Sequence, residues 1–363
     1  MDTDIDFLWA LVSGALTLLM AIGIGVVIEG LSRRRSVSTG AGRHLATTAG
    51  AVAGAVTSML WFSETVFGEA TDESHLWLVM SSSVLLATVV SGGVVERATF
   101  AAHGVIGVVV GAVIVPGVEW AQRSDGILNS IAVEGQPFTG AAAATVFAVS
   151  GWMALVGIMV IGPRQGRLSA DGSVRSVPGK SMPAAALGAL IVLATSTGLA
   201  GRPDSVWDDA LLEAAPLLAL SATAGAAVAV AVGWQQLGAS STLSLVHGAI
   251  SGVVASLGAP LELTVLRAVV VGAVGSLLAV LAIGFLERAK IDDPVGVVGA
   301  FGVAGVWGTI AAATSGSAVI AQLAGTMILA AWAIVVAGVL FGGLRVVRLL
   351  RVSLDVEVVG LEN

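Results

Sequence analysis

Asp292-Asp-Pro-Val-Gly-Val-Val-Gly-Ala-Phe-Gly-Val-Ala-Gly-Val-Trp-Gly308 is the stretch on which the reading of this chain turns. It opens on two carboxylates and a proline, then runs apolar with glycine at 299, 302, 305 and 308. Small residues let helix backbones approach closely, which is how packing holds membrane bundles together. Its centre, Phe301-Gly-Val-Ala-Gly305, reads like Phe147-Ala-Val-Ser-Gly151. The two stand five apolar spans apart, an odd offset, so the halves that contain them are expected to lie inverted in a membrane. Inverted repeats put a shared pathway at the midplane.

The rest of the chain supplies those spans. A spanning helix needs about 20 apolar residues, because the hydrocarbon core is roughly 30 Å thick. Eleven candidates are Phe7–Leu31, Leu45–Phe67, Leu76–Val95, Phe100–Val118, Phe138–Ile161, Pro183–Ala200, Leu211–Trp234, Thr242–Leu257, Thr264–Leu286, Val295–Ala313 and Ala318–Leu344. The runs are continuous, not alternating, so they read as helices that satisfy their own backbones in lipid. Of 17 Lys and Arg residues, all but Arg123, Arg202 and Arg267 fall in loops on one side. Cytoplasmic loops collect basic residues. The expected location is therefore the cell membrane, with the N-terminus outside and the Arg-studded C-terminus in the cytoplasm.

Composition agrees and excludes other classes. The chain is 56% hydrophobic and 11% charged, with a mean hydropathy of +0.97. A soluble domain of this length would need far more polar surface. A net charge of −7 argues against nucleic-acid binding, which wants a basic patch. Without cysteine there is no disulfide, thiolate metal site or Cys nucleophile. Val177-Pro-Gly-Lys-Ser181 lacks the spacing and preceding strand of a phosphate loop. The histidines show no metal-binding spacing. No enzyme activity, metal or other cofactor is expected.

Several segments together resemble the ammonium transporter family (Amt/Mep/Rh). The opening stretch is similar, without gaps, to the family's tenth-helix signature. Leu11–Met20 followed by Glu29-Gly-Leu-Ser-Arg-Arg-Arg35 resembles its first helix and exit. Val95-Glu-Arg-Ala-Thr-Phe100, Gly162-Pro-Arg164 and Gly248-Ala-Ile-Ser-Gly252 resemble the turn after helix three, the end of helix five and part of helix eight. Each match alone is weak, whereas their colinearity is strong. The resemblance implies an all-α polytopic fold of eleven transmembrane helices. Residues 7–161 form a first repeat and 183–313 an inverted second one. An eleventh helix (318–344) and a cytoplasmic tail (345–363) follow, within one membrane domain. It also implies a homotrimer in the lipid bilayer, a narrow pore in each subunit, and regulation by a PII-type protein at the cytoplasmic face. The short tail tells against that last partner.

The departures from the family gather in the pore. Phe147 and Phe301 stand where relatives carry two hydrogen-bonded histidines. An imidazole pair offers a donor and an acceptor and can relay a proton; phenylalanine does neither. A bland alternative makes both rings mere packing or lipid-facing residues. Thr139 takes the position of the outer-mouth aspartate. Leu78 and Leu199 replace the two gate phenylalanines, Gln122 replaces the tryptophan above them, and Trp120 is a nearby substitute. Ala200 replaces an asparagine, and Gly296 an aspartate. Lost aromatic faces remove cation–π attraction of about 0.5–2 kcal/mol per ring. Among other intramembrane polar residues, His247 is either functional or a neutral side chain bonded to a neighbouring helix. Glu29 reads as a snorkelling ion pair with the arginines at 33–35. The cluster Glu287 to Asp293 reads as a solvated loop, and His44 and His75 as loop residues. The expected function is a family channel or transporter with an apolar pore, passing ammonia or another small neutral solute. The alternative is a non-conducting sensor or structural subunit.

Overall fold

The computed structural model describes residues 2–33, 37–62, 73–123, 125–131, 133, 135–139, 141–169, 173–175, 177–200, 209–237, 241–313 and 315–359. Among them the chain is all-helical, with isolated bridges but no strand. Eleven long helices follow in order: α1 (Asp2–Leu31), α2 (Val37–Phe62), α3 (Glu73–Val94), α4 (Phe100–Gln122), α5 (Ala143–Ile161), α6 (Met182–Leu199), α7 (Asp209–Leu237), α8 (Thr242–Ser256), α9 (Val265–Arg288), α10 (Val298–Ala311) and α11 (Gly316–Val346). A short α12 (Leu354–Val359) closes the described chain. Eight of these are long and apolar enough to cross a membrane; α8 and α10 are apolar but shorter. Leu60, Trp61, Leu266, Met327 and Val339 are among many large apolar side chains left exposed. In water such a surface would drive association; here it is the surface of a multi-pass membrane protein.

Local chemistry sets the helix ends. Thr99, Ser181, Ser241, Thr264 and Ser315 cap α4, α6, α8, α9 and α11, each accepting from a backbone N–H three residues on. Pro116 lacks an N–H and crowds the preceding turn. A π-helical turn, Val110–Ile114, stands just before it in α4. Two further π segments open α5 (Ala143–Ala148) and α10 (Val298–Val303).

Some boundaries differ from the sequence expectation. The second span begins at Val37, so Arg43 and His44 are helical; its expected end, 63–67, lies outside the described residues. His75 belongs to α3 and is likewise no loop residue. Phe138, Thr139 and Ala141 precede α5, because their backbone is held elsewhere, as set out below. Met1, Arg34, Arg35 and Arg202, and the tail from residue 360 onward, also lie outside the described residues.

The glycines of the opening stretch explain the position of α10. Each step of three residues turns about 60° back around a helix, so four glycines face four directions. A Cβ on Gly299 would press on the Ala279 carbonyl of α9. One on Gly302 would meet Gly151 of α5, one on Gly305 would strike the Ala143 carbonyl of α5, and one on Gly308 the Ala255 carbonyl of α8. The helix therefore sits in the middle of the bundle with backbone against backbone. Elsewhere the contacts recur in pairs. α1 packs on α3 as α6 does on α8, α2 on α4 as α7 on α9, and α3 on α5 as α8 on α10. α1 also packs on α6, and α5 on α10.

Candidate functional site at the bundle axis

Where α5 crosses α10, Phe147 and Phe301 stack with ring centroids 5.7 Å apart and planes 22° from parallel. Both lie inside the π segments, and their exposures are 0% and 2%. They do not face lipid. π turns widen a helix locally and are common at functional positions; here they deliver both benzyl groups to one point. Each ring turns one face to the other, so that face is closed to a cation. The hydroxyl one turn on, that of Ser150, donates back to the Phe147 carbonyl at 2.9 Å.

On one side of this block lies a cleft of about 490 Å³ lined by Thr139, Leu199, Ala200, Phe138, Pro260 and Glu262, among others. A smaller space of about 160 Å³ is lined by Leu78, Leu199, Trp9, Ser13, Thr17 and Ser82. Leu199 belongs to both. The structure thus groups Leu78, Thr139, Leu199 and Ala200 at one end of the axis, while Trp120 goes elsewhere. It is 47% exposed and lines an apolar groove with Trp332 and Ile328 of α11. It lines neither of the two spaces above. Gln122 is half-buried at the end of α4 and lines neither space.

Two residues here were missed in the sequence. Trp9 brings an indole whose buried Nε1 has no hydrogen-bond partner. Gln322, 1% exposed on α11, pins the segment ahead of α5. Its amide nitrogen donates to the Pro137 carbonyl at 3.1 Å, and its oxygen accepts from the Thr139 N–H at 3.3 Å and hydroxyl at 3.2 Å. A lone glutamine inside an apolar span was the available signal, since a buried amide needs partners.

On the other side of the block, His247 of α8 donates from Nε2 to the Val295 carbonyl at 2.8 Å. This carbonyl precedes α10. Gly296 has φ +76°, and a Cβ on it would stand 2.8 Å from that imidazole nitrogen. A side chain there would be strained twice, so the missing aspartate matches a histidine packed on bare backbone. Asp293 caps α10, accepting from the N–H groups of Gly296, Val297 and Val298 at 2.9–3.1 Å. Burial pushes its carboxyl up against those hydrogen bonds.

The neighbouring face is rich in arginine. Asp292, 4% exposed, takes hydrogen bonds from the Arg164 Nε and Nη2, each at 2.9 Å. Arg97 approaches it at 3.4 Å. Glu96 pairs with Arg33 and, at 3.3 Å, with Arg164. Burial works to raise the Asp292 carboxyl, but the hydrogen bonds and charges of Arg164 and Arg97 outweigh it and hold it below the usual range. Burial pulls the Arg97 guanidinium down to about 10, against the opposing charge of Asp292. It remains charged at neutral pH. Asp292 and Asp293 are thus not a solvated loop. They tie the ends of α3, α5 and α10 together. Glu29 also departs from expectation: its partner is Lys180 at 2.7 Å, with His44 at 4.0 Å. Arg33 is drawn off by Glu96, whose carboxylate also accepts the Arg33 backbone N–H.

Comparison with known proteins places this geometry. The model of the Ammonium Transporter Family matches residues 8–363. Ammonium transporter Amt2 of Archaeoglobus fulgidus is 29% identical, covering 99% of this chain and 87% of its own. Ammonium transporter Amt1 of Haloferax mediterranei is 29% identical, with 99% and 77% covered. A solved structure named "Sensor Amt Protein" superposes with a TM-score of 0.89 at 22% identity, over 99% of this chain and 97% of that one. By sequence match along almost its whole length, the chain belongs to the Ammonium Transporter Family.

Proposed function

We propose that this family member has an axis that excludes the ammonium ion and leaves passage only to ammonia or another small neutral solute. The observation that carries this reading is the buried stack of Phe147 on Phe301. A charge at a membrane centre costs about 2.5–3.5 kcal/mol on insertion scales. Cation–π attraction to a ring returns about 0.5–2 kcal/mol, less than that cost, and one face of each ring is already taken by the other. A neutral molecule avoids the charge term and needs only that the rings part. The gate positions Leu78 and Leu199 and the mouth residue Thr139 fit the same chemistry, because they offer a cation no carboxylate and no π face. The test is reconstitution into proteoliposomes. Imposed ammonium gradients should produce lumenal alkalinisation faster than in protein-free vesicles, with no electrogenic current. A current comparable to that of a relative with two histidines would overturn the reading.

A second reading is a non-conducting sensor or structural subunit. The complete burial of both rings favours it, as does the likeness in fold to the protein named "Sensor Amt Protein". Vesicles that alkalinise no faster than empty ones would select it.

The architecture we infer is eleven spans in two inverted repeats, 7–161 and 183–313, with helix 318–344 and tail 345–363 behind them. The paired contacts and the matching π segments of α5 and α10 support it. The Arg-rich face is inferred to be cytoplasmic and the membrane the cell membrane. The oligomer is inferred to be a homotrimer. Native mass spectrometry of the purified protein tests the trimer. Binding of a purified PII protein to the Arg-rich face tests the remaining partner.

A further inference from the structure

We propose that the end of α11 carries a binding site for the phosphate headgroup of an anionic phospholipid. A space of about 310 Å³ is lined by Val160, Ile161, Leu350 and three arginines, Arg345, Arg348 and Arg351. Two of these are anchored at its rim. Arg345 donates from Nη1 to the Val160 carbonyl at 3.2 Å. Arg351 donates to the Ile161 and Pro163 carbonyls, each at 2.9 Å, and pairs with Glu357 at 2.8 Å. Arg348 has no side-chain partner among the described residues. Among the described residues the only ion pair of these three guanidiniums is that of Arg351 with Glu357, and most of their N–H donors are unused. Guanidinium forks fit phosphate oxygens in pairs.

The surroundings select a lipid over a soluble anion. Val346, Val347 and Leu349 are 82%, 60% and 46% exposed, interleaved with the arginines. Aliphatic side chains beside cationic heads, at the end of a 31-residue apolar helix, match the level where acyl chains meet headgroups. Basic pockets between helices at such a boundary suit anionic lipids.

The backbone adds a second observation. α11 ends with the Leu349 N–H bonded to the Leu344 carbonyl, an end that usually places glycine at the left-handed position. Arg348 occupies that position with φ +60°. An arginine held where glycine would fold more easily suits a side chain wanted for binding.

This proposal rests on the membrane embedding and not on whether the axis conducts. The test is native mass spectrometry of the full chain in detergent, titrated with phosphatidylglycerol or phosphatidylcholine, alongside thermal unfolding in each lipid. Phosphatidylglycerol should bind and raise the unfolding temperature; phosphatidylcholine should do so much less. Arg348→Gly should unfold no earlier than wild type without lipid, yet bind phosphatidylglycerol about fivefold more weakly. Arg345→Gln with Arg348→Gly should weaken it about 30-fold. Arg123→Gln, a control outside this pocket, should change nothing. Equal binding of the two lipids, or wild-type affinity in the double variant, would overturn the proposal. So would inorganic phosphate stabilising the protein as well as the lipid does, which would make this a soluble-anion site.

Discussion

Gly151 of α5 meets Gly302 of α10 backbone to backbone: a Cβ on Gly151 would collide with the Gly302 Cα, and one on Gly302 would stand 3.0 Å from the Gly151 Cα. Phe147 lies one turn before this crossing and Phe301 immediately beside it. The glycine contact thus sets how near the two rings come.

Gly151→Ala should therefore separate α5 from α10 and lower stability by about 1–3 kcal/mol, the range for overpacking a filled core. Gly284→Ala and Gly338→Ala are the controls, since a Cβ at either position meets nothing within 4 Å. They should be neutral or stabilise by up to about 1 kcal/mol through helix propensity. Thermal unfolding followed by tryptophan fluorescence reads both. A Gly151→Ala protein as stable as wild type would mean the crossing is looser than drawn.

Truncating the stack tests the rings themselves. Phe147→Ala should cost about 3–5 kcal/mol, as for other buried phenylalanines. Phe147→Ala with Phe301→Ala should raise the ammonia permeability of proteoliposomes above wild type, because the block is removed. The triple variant Phe147→His, Phe301→His, Thr139→Asp should go further. It restores donors, acceptors and an outer carboxylate, and should carry ammonium in cells lacking their own transporters. Wild-type uptake in the same cells comparable to that of a relative with both histidines would sink the non-conducting reading.

What the sequence disclosed and what it hid follow from the physics of each feature. The eleven apolar runs were legible because lipid demands local, continuous hydrophobicity. Phe147 and Phe301 could be singled out because a five-residue match repeats at equal places in the two halves. The segment ahead of α5 was misread as helix, since a distant side chain, Gln322, bonds its backbone. The acidic pair Asp292–Asp293 looked like solvated charge. Asp293 caps the helix just after it, while Asp292 is buried against arginines at 97 and 164, nearly two hundred and more than one hundred positions away, which no local pattern records. Glu29 was assigned to its sequence neighbours; of these Arg33 goes to Glu96, and Glu29 pairs with Lys180, 151 positions away. Trp120 was close in sequence to Gln122, the position matched to the family tryptophan, but it lines a groove with α11.

The Asp292 cluster makes a pH prediction. Asp292→Asn removes the carboxylate that faces Arg164 and Arg97 and leaves both cations under-compensated, at about 3–5 kcal/mol for a broken buried pair. The native carboxyl sits below its ordinary value. Its contribution is then present above the unfolded-state pKa of about 3.9 and is lost as pH falls through the native one. The gap in unfolding temperature between wild type and Asp292→Asn should be full at neutral pH and narrow below about pH 4. A gap independent of pH would show that the asparagine effect is one of packing.

Gln322 offers a test in which stability and local order separate. Its amide serves the Pro137 carbonyl and the Thr139 N–H and hydroxyl together, so Gln322→Leu removes three hydrogen bonds at a half-buried cleft. An unsatisfied buried group costs about 1–3 kcal/mol, but the cleft admits water at its mouth, which lowers the penalty. The global loss should then be small, about 1 kcal/mol, while exchange protection falls sharply at the Thr139 amide. Gln322→Glu keeps the acceptor and should protect that amide better than leucine, while losing the donor to Pro137. If hydrogen exchange at Thr139 is unchanged in Gln322→Leu, the segment ahead of α5 is held by something other than this glutamine, and the position of Thr139 at the cleft must be set by α5 itself.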